Sequence, residues 1–242
     1  MKIVGIIPAR YASSRFPGKP LIDLKGKSMI QRVYEGAAKC PLLSKVVVAT
    51  DDSRIYDHVI EFGGEAVLTS TAHTTGTDRC GEVVREIDCD VVINIQGDEP
   101  LVDPVQIEQL CLAFNDSEVQ IATLGIANVT QEDLDNKNRI KLVRNAKGDA
   151  LYFSRSAVPN SQNASEEVIE SFPFLRHIGL YAYRSATLKE LVELERTELE
   201  QVESLEQLRW LYHGYPIRVV ETNIETPNID VPEDVEKVLE LL

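Results

Sequence analysis

Arg10, Arg15 and Lys19 sit close together near the start of the chain, with the hydroxyls of Ser13 and Ser14 between them and no acid nearby. Guanidinium forks and an ammonium suit a polyphosphate, and small residues let backbone N–H groups approach it. On position and charge alone, a solvated surface loop fits the same residues. A second chemical run, 94–100, reads Asn-Ile-Gln-Gly-Asp-Glu-Pro and places carboxylates directly after an apolar stretch. Asp98 could hold Mg²⁺ against substrate phosphates, since that ion takes one or two carboxylates and completes its shell with phosphate and water oxygens. Asp230 offers a second carboxylate, and it reads equally well as a helix N-cap ahead of Pro232. Residues 69–79 are hydroxyl-rich and end in Gly76 and Arg79. They suit reading a base edge at a helix start, and they suit plain capping.

Other chemistries find no pattern here. Gly26-Lys27-Ser28 looks like the end of a phosphate loop, but Leu21 stands where its first glycine belongs. No G-x-G-x-x-G follows an apolar run. The histidines His58, His73, His177 and His213 show no metal-binding spacing, and Cys40, Cys80, Cys89 and Cys111 form no C-x-x-C. Four such cysteines read as thiols in a reducing compartment.

These loops need a scaffold, and the hydrophobic pattern supplies one. Runs at 2–7, 45–50, 65–68 and 90–95 read as strands, and the first, second and fourth are almost continuously apolar. That predicts strands covered on both faces, as in a parallel sheet. Helical spacing follows each: Met29, Ile30, Val33, Tyr34 and Ala37 after a capping Ser28, then 53–62, 77–87 and 104–113. The alternation predicts an α/β fold with a Rossmann-like, doubly wound, mostly parallel sheet. Strands at 119–127, 151–153 and 177–183 fall outside the rhythm and predict a small antiparallel addition near 134–184. Helices at 186–196 and 203–212, a strand at 217–220 and a helix over 232–242 complete the reading. Residues 159–171 read as a flexible loop. The whole of 1–242 is expected to form one domain.

The chain carries 39 acids against 25 bases, a net charge of −14 over 242 residues. Residues 161–242 hold much of the excess, while 1–20 contain no acid. Such a balance argues against nucleic acid and anionic membranes as partners. The apolar stretch at 3–9 is too short to span a bilayer. A cytoplasmic protein with a local basic pocket is expected.

Taken together, IIPARYASSRFPGKPL, VVVATDD, HTTGTDR, NIQGDEP, YFSR, HIGLYAYR, LEQLRWL and IDVPEDVE resemble the 3-deoxy-manno-octulosonate cytidylyltransferases, in the family's order and across nearly the whole chain. The resemblance implies a nucleotide-diphospho-sugar transferase type of fold, Mg²⁺ dependence, a homodimer and a place in lipopolysaccharide biosynthesis. It implies a reaction of CTP with a keto-sugar acid that yields a CMP-sugar and pyrophosphate. By motif, Ala9, Arg10, Ser13, Arg15 and Lys19 would hold the CTP phosphates. Ser70, Gly76, Thr77 and Arg79 would line the cytosine and ribose, and Asp98 and Asp230 would bind Mg²⁺. Gln96, Arg155, His177, Tyr181, Glu206 and Gln207 would surround the sugar acid. Thr75 stands where the family commonly has serine, and a hydroxyl survives. After Arg155 the sequence leaves the family's Pro- and Arg-containing pattern and becomes Ser-Ala-Val-Pro-Asn-Ser. That departure opens the runner-up substrates, 8-amino-Kdo or a nonulosonic acid.

Overall fold

A computed structural model describes residues 1–12, 16–127 and 129–242. Its centre is β1 (Ile3–Ala9), whose side chains alternate between two cores: Ile3 and Ile7 face one, Val4 and Ile6 the other. Successive strand side chains point to opposite faces, so an all-apolar strand must be covered twice. The chain continues through the small hairpin β2 (Asp23–Leu24) and β3 (Lys27–Ser28) into α1 (Met29–Ala37). Ser28 caps α1, its hydroxyl accepting from the Gln31 N–H, as its residue type predicts.

Then come β4 (Lys45–Thr50), α2 (Ser53–Glu61), β5 (Ala66–Leu68), α3 (Gly76–Glu86), β6 (Val91–Asn94) and α4 (Pro104–Ala113). In the second half lie β7 (Ile121–Ile126), α5 (Gln131–Asp135), β8 (Lys141–Arg144), β9 (Ala150–Ser154), α6 (Glu166–Ser171) and β10 (Leu175–Arg184). The chain closes with α7 (Ser185–Leu191), α8 (Glu198–Glu203), α9 (Gln207–Tyr212), β11 (Ile217–Thr222) and α10 (Asp234–Leu241).

The sheet order is β11-β7-β10-β6-β1-β4-β5. β4 and β6 flank β1 in parallel, β5 extends β4, and β11 runs parallel to β7. β10 is antiparallel to both β6 and β7, and it also pairs with β8, which pairs with β9. The doubly wound α/β sheet with its small antiparallel addition is therefore present. α1, α2 and α4 supply one core, and α3, α7 and α9 the other.

Four local expectations change. The helix predicted over 203–212 begins only at Gln207, as α9, because α8 ends at Glu203 and Ser204, in the left-handed region at φ 52°, separates the two. The helix predicted over 186–196 stops at Leu191. The loop predicted over 159–171 contains α6, and the strand β8 had no counterpart in the pattern. Among the described residues, no helix is long and apolar enough to cross a membrane.

Candidate active site

β1 and β6 lie side by side, and the chain winds outward from them in opposite directions, which opens a crevice at their carboxyl ends. Their loops approach closely. A Cβ on Gly97 would lie 2.8 Å from the Pro8 carbonyl oxygen, so only glycine fits there without a shift of backbone. Gly76, the first residue of α3, packs on the Pro8 ring in the same way. The resulting cleft, about 230 Å³, is lined by Pro8, Ala9, Arg10, Lys19, Pro20, 73–76, Arg79 and 96–98.

One end of this cleft is ionic. Gly18, left-handed at φ 73°, turns the chain so that Lys19 starts a short 3₁₀ turn. The Lys19 ammonium donates to Asp98 Oδ2 at 2.8 Å and to the Ile229 carbonyl at 2.7 Å, and it lies 3.9 Å from Asp230 Oδ1. Three segments remote in sequence thus meet at one cation. The Ile229 N–H also donates to the Asp98 carbonyl at 2.9 Å, which ties the strap after β11 to the loop after β6. Of the two readings of Asp230, the helix cap is not the one seen: Glu233 holds the N-cap position of α10 without a side-chain cap bond, and the Asp234 carboxylate accepts the N–H groups of Asp230 and Val231. Asp230 takes Asn228 Nδ2 at 3.2 Å and faces Lys19. Arg10 is exposed at the cleft. Ser13 and Arg15 lie outside the described residues.

The wall toward α3 is built from hydroxyls. Thr75 caps α3 in a reciprocal box with Asp78. The Thr77 hydroxyl reaches across to Glu206 Oε2 at 2.7 Å. Arg79 is buried, and its guanidinium holds Asp51 at 2.9 Å and the Thr69 hydroxyl, bracing the loops after β4 and β5. Ser70 is exposed, and its N–H donates to Glu82, which also pairs with His73.

β10 lies behind Gln96 and contributes no residue to the cleft lining. Gln96 Nε2 donates to the Gly179 carbonyl at 3.0 Å, at a register break between Ile178 and Tyr181. His177 packs edge-on against Phe153 and beside Tyr181, within 3.0 Å of the Thr123 hydroxyl. Burial, aided by the Arg176 charge, pushes its pKa down to about 3, so the ring is neutral. The hydroxyl of Tyr181 and Oδ1 of Asn94, its partner across β6, are buried with no hydrogen bond among the described residues. Burial raises the Glu206 carboxyl above its ordinary range, opposed by the Thr77 hydroxyl and Arg209. Gln207 is buried at the start of α9.

Of the residues expected around the sugar acid, Gln96 alone lines the cleft; His177, Tyr181, Glu206, Gln207 and Arg155 do not. Arg155 is spent on the backbone: its Nε, Nη1 and Nη2 donate to the carbonyls of Glu203, Lys137 and Ser204. Three contributors escape a reading of the sequence: Asp51, which holds Arg79; Lys141, fully buried and donating to three carbonyls; and Glu203. A lysine in a strand and glutamates in a run of acids read as surface, and only the fold reveals their partners.

Comparison with known proteins follows this geometry. The family model described as cytidylyltransferase matches residues 4–223. A 3-deoxy-manno-octulosonate cytidylyltransferase of Parabacteroides distasonis is 51% identical, covering 100% of this chain and 98% of its own length. A protein of the same name from Geotalea uraniireducens is 48% identical, with 100% and 99% covered. A solved structure described as CMP:2-keto-3-deoxy-manno-octonic acid synthetase complexed with CTP superposes with a TM-score of 0.94 at 43% identity, covering 100% of this chain and 98% of that one. A 4-diphosphocytidyl-2C-methyl-D-erythritol synthase shares the fold at a TM-score of 0.66 and 12% identity, covering 100% and 99%.

Proposed function

This chain belongs to the cytidylyltransferase family, and from that premise we propose that it works as a 3-deoxy-manno-octulosonate cytidylyltransferase. It joins CTP to the keto-sugar acid: a sugar hydroxyl oxygen bonds to the α-phosphorus, the bond to pyrophosphate breaks, and the hydroxyl proton leaves. The observation that carries this reading is the Lys19 ammonium held by Asp98 and the Ile229 carbonyl beside Asp230, at the mouth of the cleft where β1 and β6 end.

Two carboxylates sharing one cation suit a hard divalent ion completed by phosphate and water oxygens, and Asp98 and Asp230 would hold Mg²⁺. Bound there, the ion would orient the α-phosphate and acidify the attacking hydroxyl. Among the described residues no cluster of three His, Cys, Asp or Glu offers a rival metal site. Lys19 and Arg10, with Arg15 and Ser13 from the same loop, neutralise the triphosphate and the departing pyrophosphate, and the Ala9 backbone borders it. Gly76 and Thr77 present the free N–H groups of α3, and Ser70 and Arg79 frame the cytosine and ribose side.

Gln96, His177, Tyr181, Glu206 and Gln207 form the sugar side. Hydrogen bonds from these groups to the sugar hydroxyls make the work one of positioning. We keep Arg155 on this side as well, through the turn it braces.

The antiparallel addition near 134–184 exposes Leu151, Val168 and Phe172. That apolar surface supports a homodimer contact there, within a single-domain chain, which sedimentation at micromolar concentration tests. CTP is a cytoplasmic metabolite, so the reading places the chain in the cytoplasm. Pyrophosphate release from CTP and Mg²⁺, compared across 3-deoxy-manno-octulosonate, 8-amino-Kdo and a nonulosonic acid, tests the substrate. Release is expected with the first, and preference for another acid would correct the sugar while leaving the reaction type in place. Release with no acid would overturn the reading.

A further inference from the structure

Glu203 lies outside the cleft lining, yet its carboxylate gathers three donors from the end of β9 and the residue after it. Oε1 accepts from the Ser154 hydroxyl at 2.7 Å and the Tyr152 hydroxyl at 3.4 Å, and Oε2 accepts from the Arg155 N–H at 3.0 Å. The contact is reciprocal, because the Arg155 guanidinium returns Nε to the Glu203 carbonyl at 2.8 Å and Nη2 to the Ser204 carbonyl at 3.3 Å. These carbonyls belong to the end of α8, where orphan acceptors and the helix dipole favour a cation. Ser204 then reverses the chain in the left-handed region, and two residues later Glu206 reaches the Thr77 hydroxyl at the start of α3.

We infer that Glu203 is a positioning residue: its lock with the end of β9 fixes the α8–α9 turn and so sets where Glu206 and Gln207 meet the sugar acid. Burial raises the Glu203 carboxyl, but the Arg155 N–H, Ser154 and Tyr152 bonds outweigh it, and the group sits below its ordinary range. The lock therefore holds an ionised carboxylate, which makes each of these bonds charge-assisted. Glu203 acts on the sugar side: among the described residues its hydrogen-bond partners are Tyr152, Ser154 and Arg155, and none is in the loop carrying Lys19 or the one carrying Asp98.

The assignment of Glu206 and Gln207 to the sugar rests on the function proposed above, so the test carries a readout that does not. Trp210 is the chain's single tryptophan, stands on α9, and packs edge-on against Tyr181 and Tyr183. Its emission reports the placement of α9 without any substrate. In Glu203→Ala the emission is expected to shift while CTP binding, read by calorimetry, stays within about two-fold of the parent. KM for the sugar acid is expected to rise about ten-fold, with KM for CTP nearly unchanged. Glu203→Gln keeps an acceptor for Ser154 but turns an NH2 toward the Arg155 N–H and carries no charge, so it should recover only a small part of the loss. Ser154→Ala should show a smaller shift of the same kind, and it carries the test should Glu203→Ala fail to fold. A role in stability alone would move both KM values together or neither, and that result overturns the inference. Unchanged Trp210 emission in a folded Glu203→Ala overturns it too. If the parent turns over no sugar acid, the proposed function fails while the emission measurement still decides the lock.

Discussion

The two regions proposed above for the triphosphate and for the sugar are built by different means. At the phosphate end, Lys19, Asp98 and Asp230 are ionic and partly open to solvent, with side chains 13%, 28% and 40% exposed. In the region proposed for the sugar, burial pushes the His177 pKa down to about 3 and the Tyr181 hydroxyl and Glu206 carboxyl upward, although the Glu206 side chain stays 25% exposed. Charge costs too much to bury unless it is paired, so a fold that must meet a triphosphate keeps its charges where solvent and substrate can reach them. Sugar hydroxyls bring dipoles, and buried neutral partners meet them without that cost. The net charge of −14 therefore says little about the site, because the charges that matter are three or four placed locally.

Removing charge from the phosphate end should produce the largest effect. Asp98→Ala leaves Lys19 with one carboxylate fewer and the proposed metal with a single protein ligand. Turnover should fall about a thousand-fold or more, measured as pyrophosphate release at saturating CTP and Mg²⁺. Near-normal turnover would break the distinction between the two ends. The sugar end should answer differently. Glu206→Ala removes a carboxyl that accepts from the Thr77 hydroxyl and lies 3.8 Å from Arg209, and kcat/KM for the sugar acid should fall about a hundred-fold. CTP affinity by calorimetry should stay within a few-fold of the parent, and a matching loss of both would merge the two regions into one.

Between the ends lies the contact that joins them, the approach of Gly97 to Pro8. Gly97→Ala forces a Cβ to within 2.8 Å of a backbone oxygen that cannot rotate away. About 2 kcal/mol of stability should be lost by this overpacking, read as a lower midpoint in urea. An unchanged midpoint would mean that the crevice floor is softer than its geometry.

The two ends also differ in how far the sequence alone reveals them. Lys19, Asp98, Gly76 and Thr77 follow strands or open a helix, and their types sit at loop positions where the α/β pattern already places ligands. The sugar end depends on β10, which enters the sheet antiparallel between β6 and β7, and on a turn made by one left-handed residue. Nothing in the local pattern announces that Ser204 separates two helices or that Glu203 turns back to β9. Lys141 is the clearest case. No pattern in the sequence singles it out, yet its ammonium is enclosed by the carbonyls of Asn136, Arg139 and Arg155. Buried pairing between remote segments is a property of the fold, and the segments carry no mark of it beforehand.

The smallest predicted effect tests the neutrality of the sugar end. His177 is held neutral with a pKa near 3, against about 6.5 in an unfolded chain. As pH falls through 6.5 the unfolded chain takes up a proton that the folded chain refuses, so the folded state loses stability from that point down to about pH 3. Two buried carboxyls pull the other way. Glu99, raised to about 8 by burial and the neighbouring Asp98 charge, and Glu206, raised by burial, both take up protons in the folded state first and gain stability as pH falls. The parent's own profile mixes these opposing slopes, so the difference between parent and His177→Gln is the informative quantity. The variant keeps both carboxyls and loses only the imidazole. Its stability relative to the parent should therefore rise by about 1–2 kcal/mol between pH 7 and pH 5, whatever its offset at neutral pH. Parallel urea midpoints across that window would show that the imidazole takes up its proton equally in both states, and the sugar end would then not be the neutral one of the two.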